Sequence, residues 1–148
     1  MLLCAPAAEA GSPQLELVRV CQFEASFSRA DCAAIFWVTY KRAAATDRQW
    51  LDVLQDESTL YEQRTPRARE IASYPWGDVR GATEQFNRAW EDQRQYSVDI
   101  FLGAVADPCP AAVQWAGRTD APPAGFVEAA CDTPTVNVMY RVGRRVRP

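Results

Sequence analysis

The stretch Cys21-Gln22-Phe23-Glu24-Ala25-Ser26-Phe27 joins two predicted helices. Before it, an apolar stripe at helical spacing runs from Leu15 to about Ala25. After it, Ser28-Arg29-Ala30-Asp31 is similar to a capping box, with aspartate in place of glutamate, and predicts the start of a second helix. Glu24 therefore lies between two phenylalanines at a helix junction. Loss of hydration there would raise the pKa of its carboxyl group towards the range of a general acid.

Three more helices are predicted along the chain. The second helix should run to about Ala45, and Asp47 should cap a third helix that continues through Tyr61. Thr65-Pro66 opens a short fourth helix, because proline at the first helical position loses no hydrogen bond. The longest helix should run from about 82 to 102 and end at Gly103. Its predicted buried side consists of Phe86, Ala89, Tyr96, Ile100 and Phe101.

The pattern changes after Asp107-Pro108. Four prolines lie between residues 108 and 123, and three short β-prone pieces follow at Val113–Trp115, Phe126–Val127 and Val136–Tyr140. The predicted fold is therefore mainly α, of the α+β type, with about five helices followed by a small irregular or β C-terminal lobe. We expect residues 14–142 to form a single domain. Residues 1–13 are interpreted as a disordered N-terminus or the remnant of an export signal, and residues 143–148 as a basic tail.

Composition excludes several classes of function. A net charge of −3 and a pI of about 5 argue against a nucleic-acid-binding protein. No segment is long enough to span a bilayer. The chain contains no histidine, which excludes Ser-His-Asp and Cys-His nucleophiles. Carboxylate chemistry remains, and its commonest use outside the cytoplasm is glycoside cleavage.

The cysteines indicate disulfides rather than a metal site. No C-x-x-C occurs, and zinc would need cysteines and carboxylates at spacings that match no usual site, so we expect no metal and no cofactor. Cys109 with Cys131 and Cys21 with Cys32 are the hypothesised pairs; buried free thiols are the alternative. Disulfides and an Ala-Glu-Ala sequence near the N-terminus favour a periplasmic or extracellular location.

Three motifs carry a resemblance to a known family. Glu24-Ala25-Ser26-Phe27 resembles the catalytic-glutamate junction of lysozyme-superfamily lytic transglycosylases, and the chain is similar to the cell wall hydrolase family of the spore-cortex-lytic type. That family has a helix ending in Asn-Arg, which corresponds to Cys32–Arg42 here. Its later Asp-Pro-x-x-Gly-Ala block corresponds to Leu102–Trp115, and its closing Asn-x-x-Tyr corresponds to Asn137–Tyr140. Together these motifs span residues 15 to 142.

The chain departs from the family pattern at several points. Lys41 replaces the asparagine at the helix end, and Pro110-Ala111 stands where Gly-Ala is expected. Gln114-Trp115 replaces an aromatic pair, and the cysteines are additional. These departures leave the Glu24 assignment intact and put the contacts with sugar in doubt.

The resemblance implies a lysozyme-like fold that cleaves the β-1,4 bond between N-acetylmuramic acid and N-acetylglucosamine in peptidoglycan, with Glu24 as catalytic acid and base and no metal. The candidate substrate-binding residues are Gln114, Trp115, Asn137, Tyr140 and, as a groove aromatic, Tyr61. Four of the site residues have a structural alternative: Glu24 as a solvated helix end, Trp115 as a core residue, Asn137 as a turn residue and Tyr140 as a packing residue. We expect a monomer that acts on glycan strands outside the cytoplasm, with phage association as one setting.

Two other functions stay open at this stage. The chain could be a catalytically inactive, disulfide-stapled module for wall binding or assembly, or a helical interaction domain with chance motif matches. A second carboxylate for the reaction could come from the acidic residues on and after the third helix. Those residues, which we interpret mostly as a solvated face, are Asp52, Asp56, Glu57 and Glu62.

Overall fold

The computed structural model describes residues 12–143, which form five helices followed by three short strands. The helices are α1 (Pro13–Ala25), α2 (Arg29–Thr46), α3 (Trp50–Glu57), α4 (Pro66–Ala72) and α5 (Glu84–Phe101). The strands are β1 (Gln114–Ala116), β2 (Phe126–Glu128) and β3 (Val138–Val142). The predicted mainly helical fold with a small C-terminal β lobe is confirmed.

Four of the helices begin at a hydroxyl side chain. Ser12, Ser28, Thr65 and Thr83 each accept a hydrogen bond from the backbone N–H three residues later. This satisfies one of the N–H groups that have no partner inside the helix. The predicted starts at Ser28 and at Thr65-Pro66 are confirmed.

The prediction that Asp47 caps the third helix is wrong. Asp47 instead ends α2 in the left-handed conformation, with φ 51° and ψ 44°, and its N–H donates to the carbonyl of Ala43. Aspartate tolerates this conformation better than most residues, so the same residue type serves either helix end. α3 starts at Trp50 without a side-chain cap and ends at Glu57, before Tyr61.

The predicted buried side of α5 is confirmed in part. Ile100 is buried, and the predicted Phe86, Ala89, Tyr96 and Phe101 are half-buried. The other buried residues of the helix are Trp90, Gln93 and Ser97, which the pattern did not predict. The indole N–H of the buried Trp90 donates to the carbonyls of Pro75 and Gly77, each at 3.1 Å. The predicted stop holds: Gly103 follows α5 with φ 77°.

Helix α1 lies at the centre of the fold. Residues 15–22 are buried without a break, which is the pattern of a helix surrounded by other elements rather than of a surface helix. It packs against α2, α5, α4 and α3. Glu24 sits in the last turn of this buried helix, so its surroundings are set by several neighbouring elements.

The three strands form an antiparallel sheet in the order β1-β3-β2, with β3 in the middle. The predicted third strand began at Val136, two residues too early. The N–H groups of Val136 and Asn137 donate to the Asp31 carboxylate of α2 instead of joining a strand. The sheet is thus attached to the helical part at the point where β3 begins.

Both hypothesised disulfides form, Cys21–Cys32 and Cys109–Cys131, so the alternative of buried free thiols at these four positions is wrong. Cys4, the Ala-Glu-Ala sequence and the basic tail from residue 144 lie outside the described residues. Ser12 and Pro13 already belong to the start of α1, not to a disordered terminus. Within residues 12–143, the helices are too short or too polar to cross a membrane.

Candidate functional site around Glu24

Glu24 lies at the junction between the two helices that the sequence predicts. The backbone leaves α1 through Ser26, whose φ of 53° and ψ of −130° are rare for a residue with a side chain. The Cys21–Cys32 disulfide joins the two helices across this junction. Glu24 therefore lies in the last turn of α1, directly before a short connection that the disulfide spans.

The carboxyl group of Glu24 is half-buried and has polar partners in two parts of the fold. Ser58, which follows α3, donates its hydroxyl to Oε1 of Glu24 at 3.1 Å. The Ser58 oxygen itself accepts the N–H of Leu60 at 3.2 Å, which leaves its hydrogen directed at Glu24. The backbone N–H of Thr59 and the side chain of Trp115 are weaker partners of the carboxylate, outside the geometry of a regular hydrogen bond.

Burial raises the pKa of Glu24 above its ordinary value, and this is the largest effect on the group. The hydrogen bond from Ser58 and the weaker contacts of Trp115 and Thr59 stabilise the ionised form and lower the pKa in part. The negative charge of Asp120 raises the pKa further, as the smallest contribution. The net shift is upwards, so more of Glu24 is protonated near neutral pH than of a free glutamate. A carboxyl group in this state can donate a proton.

Trp115 covers the carboxyl group from the sheet. It lies in the middle of β1, opposite Met139 of β3, and only 7% of the residue is exposed. It therefore offers little free surface for stacking on a sugar.

Asn137 contacts the backbone of Glu24 rather than its carboxyl group. Its Nδ2 donates to the Glu24 carbonyl at 3.1 Å and to Oδ1 of Asp31 at 3.0 Å. Only 5% of Asn137 is exposed. In this arrangement the Asn137 side chain orients the backbone of Glu24.

The contacts of three other candidate residues are with groups other than the Glu24 carboxyl group. The Oε1 of Gln114 accepts a hydrogen bond from Arg42, which occupies the amide on the helical side. Tyr140 is buried in β3, opposite Gln114 and Glu128. Tyr61 is 39% exposed and lies in the turn after Ser58, where its ring is open to a ligand.

The acidic residues on and after α3 do not converge on Glu24. Arg48 pairs with Asp56, and Arg42 pairs with Glu57 at 3.1 Å. Asp52 and Glu62 are exposed. The interpretation of this group as a solvated face, partly paired with arginines, agrees with these contacts.

The carboxylate that does act on Glu24 belongs to Asp120, in the loop after β1. The Oδ2 of Asp120 accepts the N–H of Gly117 at 3.0 Å, and the N–H of Asp120 donates back to the Gly117 carbonyl at 3.0 Å. A Cβ at position 117 would lie 2.9 Å from this Oδ2, so a larger residue there would displace the Asp120 carboxylate. Sequence reasoning missed Asp120, although Gly-Arg-Thr-Asp is a recognisable turn sequence.

The motif blocks lie next to one another in space. Lys41 pairs with Asp107 at 2.9 Å and donates to the Pro110 carbonyl at 3.0 Å. Arg42 donates to the Val113 carbonyl at 3.1 Å. The end of α2 is thereby bound to the segment that leads into β1, and β1 brings Trp115 to Glu24.

Sequence reasoning also missed Ser58, Thr59 and Asp31. A serine that ends a helix looks like an ordinary stop signal, and an aspartate three residues after a cap looks like part of the capping box. Ser58 and Asp31 do have those local roles, and their contacts with the Glu24 site are visible only in three dimensions.

Within residues 12–143 no three side chains of the Cys, Asp and Glu types come together as metal ligands would. Comparison of the chain with family models, with curated proteins and with solved structures gives no match. The function of the site has to be inferred from its own residues.

Proposed function

We propose that this protein cleaves the glycan strands of peptidoglycan, with Glu24 as the general acid and base. The observation that supports this most directly is the buried Glu24 carboxyl group, whose pKa is raised because burial outweighs the polar partners of the group. Spatial proximity of the motif blocks is a second support. Trp115 and Asn137 act on Glu24 itself, and Lys41 and Arg42 bind the segment that leads to Trp115.

In the proposed reaction, protonated Glu24 donates its proton to the oxygen of the β-1,4 bond between N-acetylmuramic acid and N-acetylglucosamine. The bond from that oxygen to C1 of the muramoyl residue breaks, and the glucosamine end leaves as an alcohol. The Glu24 carboxylate then takes the proton of the muramoyl 6-hydroxyl, whose oxygen bonds to C1 and closes a 1,6-anhydro ring. If water takes the place of that hydroxyl, the product is a reducing end.

The contacts of Glu24 suit both halves of this cycle. Burial of the carboxyl group favours the protonated form that must donate. The hydroxyl of Ser58 and the N–H of Thr59 stabilise the carboxylate that remains after donation. Both protonation states are thus accessible, as a group that acts first as acid and then as base requires.

The disulfides support a site of action outside the cytoplasm. Disulfides persist in oxidising compartments, and peptidoglycan lies in such a compartment. We therefore place the protein in the periplasm or the extracellular space, as a monomer acting on glycan strands.

Digestion of purified wall sacculi by the wild type and by Glu24→Gln tests the proposal. General acid–base catalysis contributes about two to four powers of ten in rate, so the variant should lose at least about 99% of the release of soluble fragments. Glu91→Gln removes a charge from an exposed position on α5 and is the matched control, which should retain full activity.

Analysis of the fragments separates the remaining alternatives. Anhydro-muropeptides identify a lytic transglycosylase and reducing ends identify a hydrolase. Sacculi that bind the wild type and stay intact would indicate the inactive wall-binding module. Equal release by Glu24→Gln and the wild type would exclude Glu24 as the acid.

A further inference from the structure

Asp31 is a buried carboxylate with an unusual set of partners. It is fully buried and accepts four hydrogen bonds. Oδ2 accepts the hydroxyl of Ser28 at 2.6 Å and the N–H of Val136 at 2.7 Å. Oδ1 accepts the N–H of Asn137 at 2.8 Å and its side-chain Nδ2 at 3.0 Å. An ionised carboxylate has no hydrogen to donate, so it can accept from all four groups at once.

These contacts do more than cap α2. Among residues 12–143 no arginine or lysine forms a salt bridge with Asp31, so the charge is balanced by hydrogen-bond donors and by the N-terminal end of α2. Only Ser28 belongs to the cap; the other three donors come from the segment before β3, more than a hundred residues along the chain. A cap alone needs none of these long-range partners.

Asn137 transmits the contact to Glu24. Its Nδ2 carries two hydrogens, one directed at Asp31 and the other at the carbonyl of Glu24, 3.1 Å away. Because Asp31 fixes the orientation of this amide, it also fixes the position from which the amide holds the last turn of α1.

The same contacts attach the sheet to the helices. Val136 and Asn137 immediately precede β3, the middle strand, and β3 pairs with β1, which carries Trp115. The carboxylate of Asp31 therefore connects Glu24 to the strand pair that covers it.

We propose that Asp31 is a positioning residue of the Glu24 site: through Asn137 it holds the Glu24 backbone, and through the segment before β3 it keeps Trp115 against the Glu24 carboxyl group. This inference rests on the proposed function only where activity is concerned. The positioning of Glu24 by Asp31 can be measured without any substrate.

Asp31→Asn is the first test, because it keeps the side-chain size and replaces one acceptor oxygen by a donor. An amide has a single acceptor oxygen, so the N–H of Val136 or of Asn137 loses its hydrogen bond to residue 31. The attachment of the sheet beside Glu24 is thereby weakened. We expect the pKa of Glu24, measured by ¹³C NMR of its labelled carboxyl group, to fall towards its ordinary value. On solubilised glycan strands, kcat should fall by at least about tenfold, which corresponds to about 1.4 kcal/mol, with KM changed less than about twofold.

Glu16→Gln is the matched control. Glu16 is a second buried carboxylate, 4% exposed, about two turns earlier on the same helix as Glu24, and it pairs with Arg19 at 3.0 Å. Its replacement removes a buried carboxylate of the same helix that has no contact with Asn137, and should leave the pKa of Glu24 and kcat unchanged.

Asn137→Ala is a second test that leaves Asp31 in place. It keeps three of the four hydrogen bonds of Asp31 and removes the bond to the Glu24 carbonyl. The pKa of Glu24 should fall here too. An unchanged pKa and an unchanged kcat in either folded variant would overturn the positioning role, whatever the loss of stability.

The two proposals fail in different ways. A wild type without activity on glycan strands, combined with a shifted Glu24 pKa in Asp31→Asn, would refute the proposed reaction and keep the positioning role. An active wild type with no response of Glu24 to Asp31→Asn or Asn137→Ala would do the reverse.

Discussion

The two junctions that flank α2 have the same length but differ in backbone conformation. Residues 26–28 join α1 to α2, residues 47–49 join α2 to α3, and each connection begins with a residue other than glycine at positive φ. Asp47 has φ 51° and ψ 44°, within the ordinary left-handed region. Ser26 has φ 53° and ψ −130°, which lies outside that region. The first junction is therefore strained, and the second is not.

The surroundings of the two junctions explain how this strain persists. The first junction is bridged by Cys21–Cys32 and held by the bond from Asn137 to the Glu24 carbonyl. Ser26 and Phe27 are exposed, as are residues 47–49, but the side-chain contact of the second junction is a surface ion pair between Arg48 and Asp56. Strain of this kind survives only where neighbouring contacts determine the backbone, and such places cluster at functional sites. The backbone strain therefore marks the Glu24 junction as a candidate site without any reference to the charge of Glu24.

Removal of a disulfide should have the largest effect on stability, and only one of the two bridges crosses the strained junction. Cys21→Ala with Cys32→Ala releases a bridge between residues 11 apart, and we expect the free energy of unfolding to fall by about 3 kcal/mol. Urea denaturation of the oxidised proteins measures this. Cys109→Ala with Cys131→Ala is the control, with a similar expected loss of about 3 kcal/mol in a loop away from the junction.

The junction variant should in addition lower the pKa of Glu24, because the helices then separate more easily and expose the carboxyl group to water. If the pKa of Glu24 responds equally to both pairs of substitutions, the bridge at the junction has no special part in the site.

The dependence of stability on pH should distinguish Glu24 from an ordinary helix-end glutamate. Folding raises the pKa of Glu24 above the unfolded value of 4.5, so ionisation opposes folding. The wild type therefore loses stability as the pH rises from 4.5 through the folded pKa. Glu24→Gln cannot ionise and should be more stable than the wild type at pH 7, with little difference at pH 4. A stability difference that is the same at both pH values would mean that the group is fully solvated.

The smallest effect should come from relief of the backbone strain itself. Glycine adopts the conformation of Ser26 without steric cost, so Ser26→Gly should raise the free energy of unfolding by up to about 1 kcal/mol after the entropy cost of glycine is subtracted. Asp47→Gly, at the matched position of the second junction, should change it by less than about 0.5 kcal/mol. Thermal unfolding of both variants checks this, and equal changes would remove the distinction between the junctions.

Much of the fold could be predicted from local sequence. Hydroxyl caps and prolines mark the starts at Ser28 and Thr65, and Gly103 marks the end of α5, because each acts within one turn. One error was local, since an aspartate such as Asp47 can stand at either end of a helix. Another came from a distant contact, because the N–H of Val136 donates to Asp31 instead of joining the third strand.

Less of the candidate site could be predicted. Glu24 was identified because two helical patterns meet around it, and that signal is local. Ser58, Asp31 and Asp120 were missed as parts of the site, because each has a sufficient local explanation as a helix stop, a capping box or a turn. Nothing in a single sequence says which polar residue also serves a distant partner.

The sequence by itself determined that a glutamate stands between two helices in a chain without histidine, and which cysteines could pair, since these follow from order, spacing and composition. Only the tertiary structure decided that this glutamate is buried by a tryptophan from the sheet and that Asp31 and Asn137 hold it there. Burial and hydrogen bonding between segments a hundred residues apart depend on how the elements pack, and packing is a property of the whole chain rather than of any stretch of it.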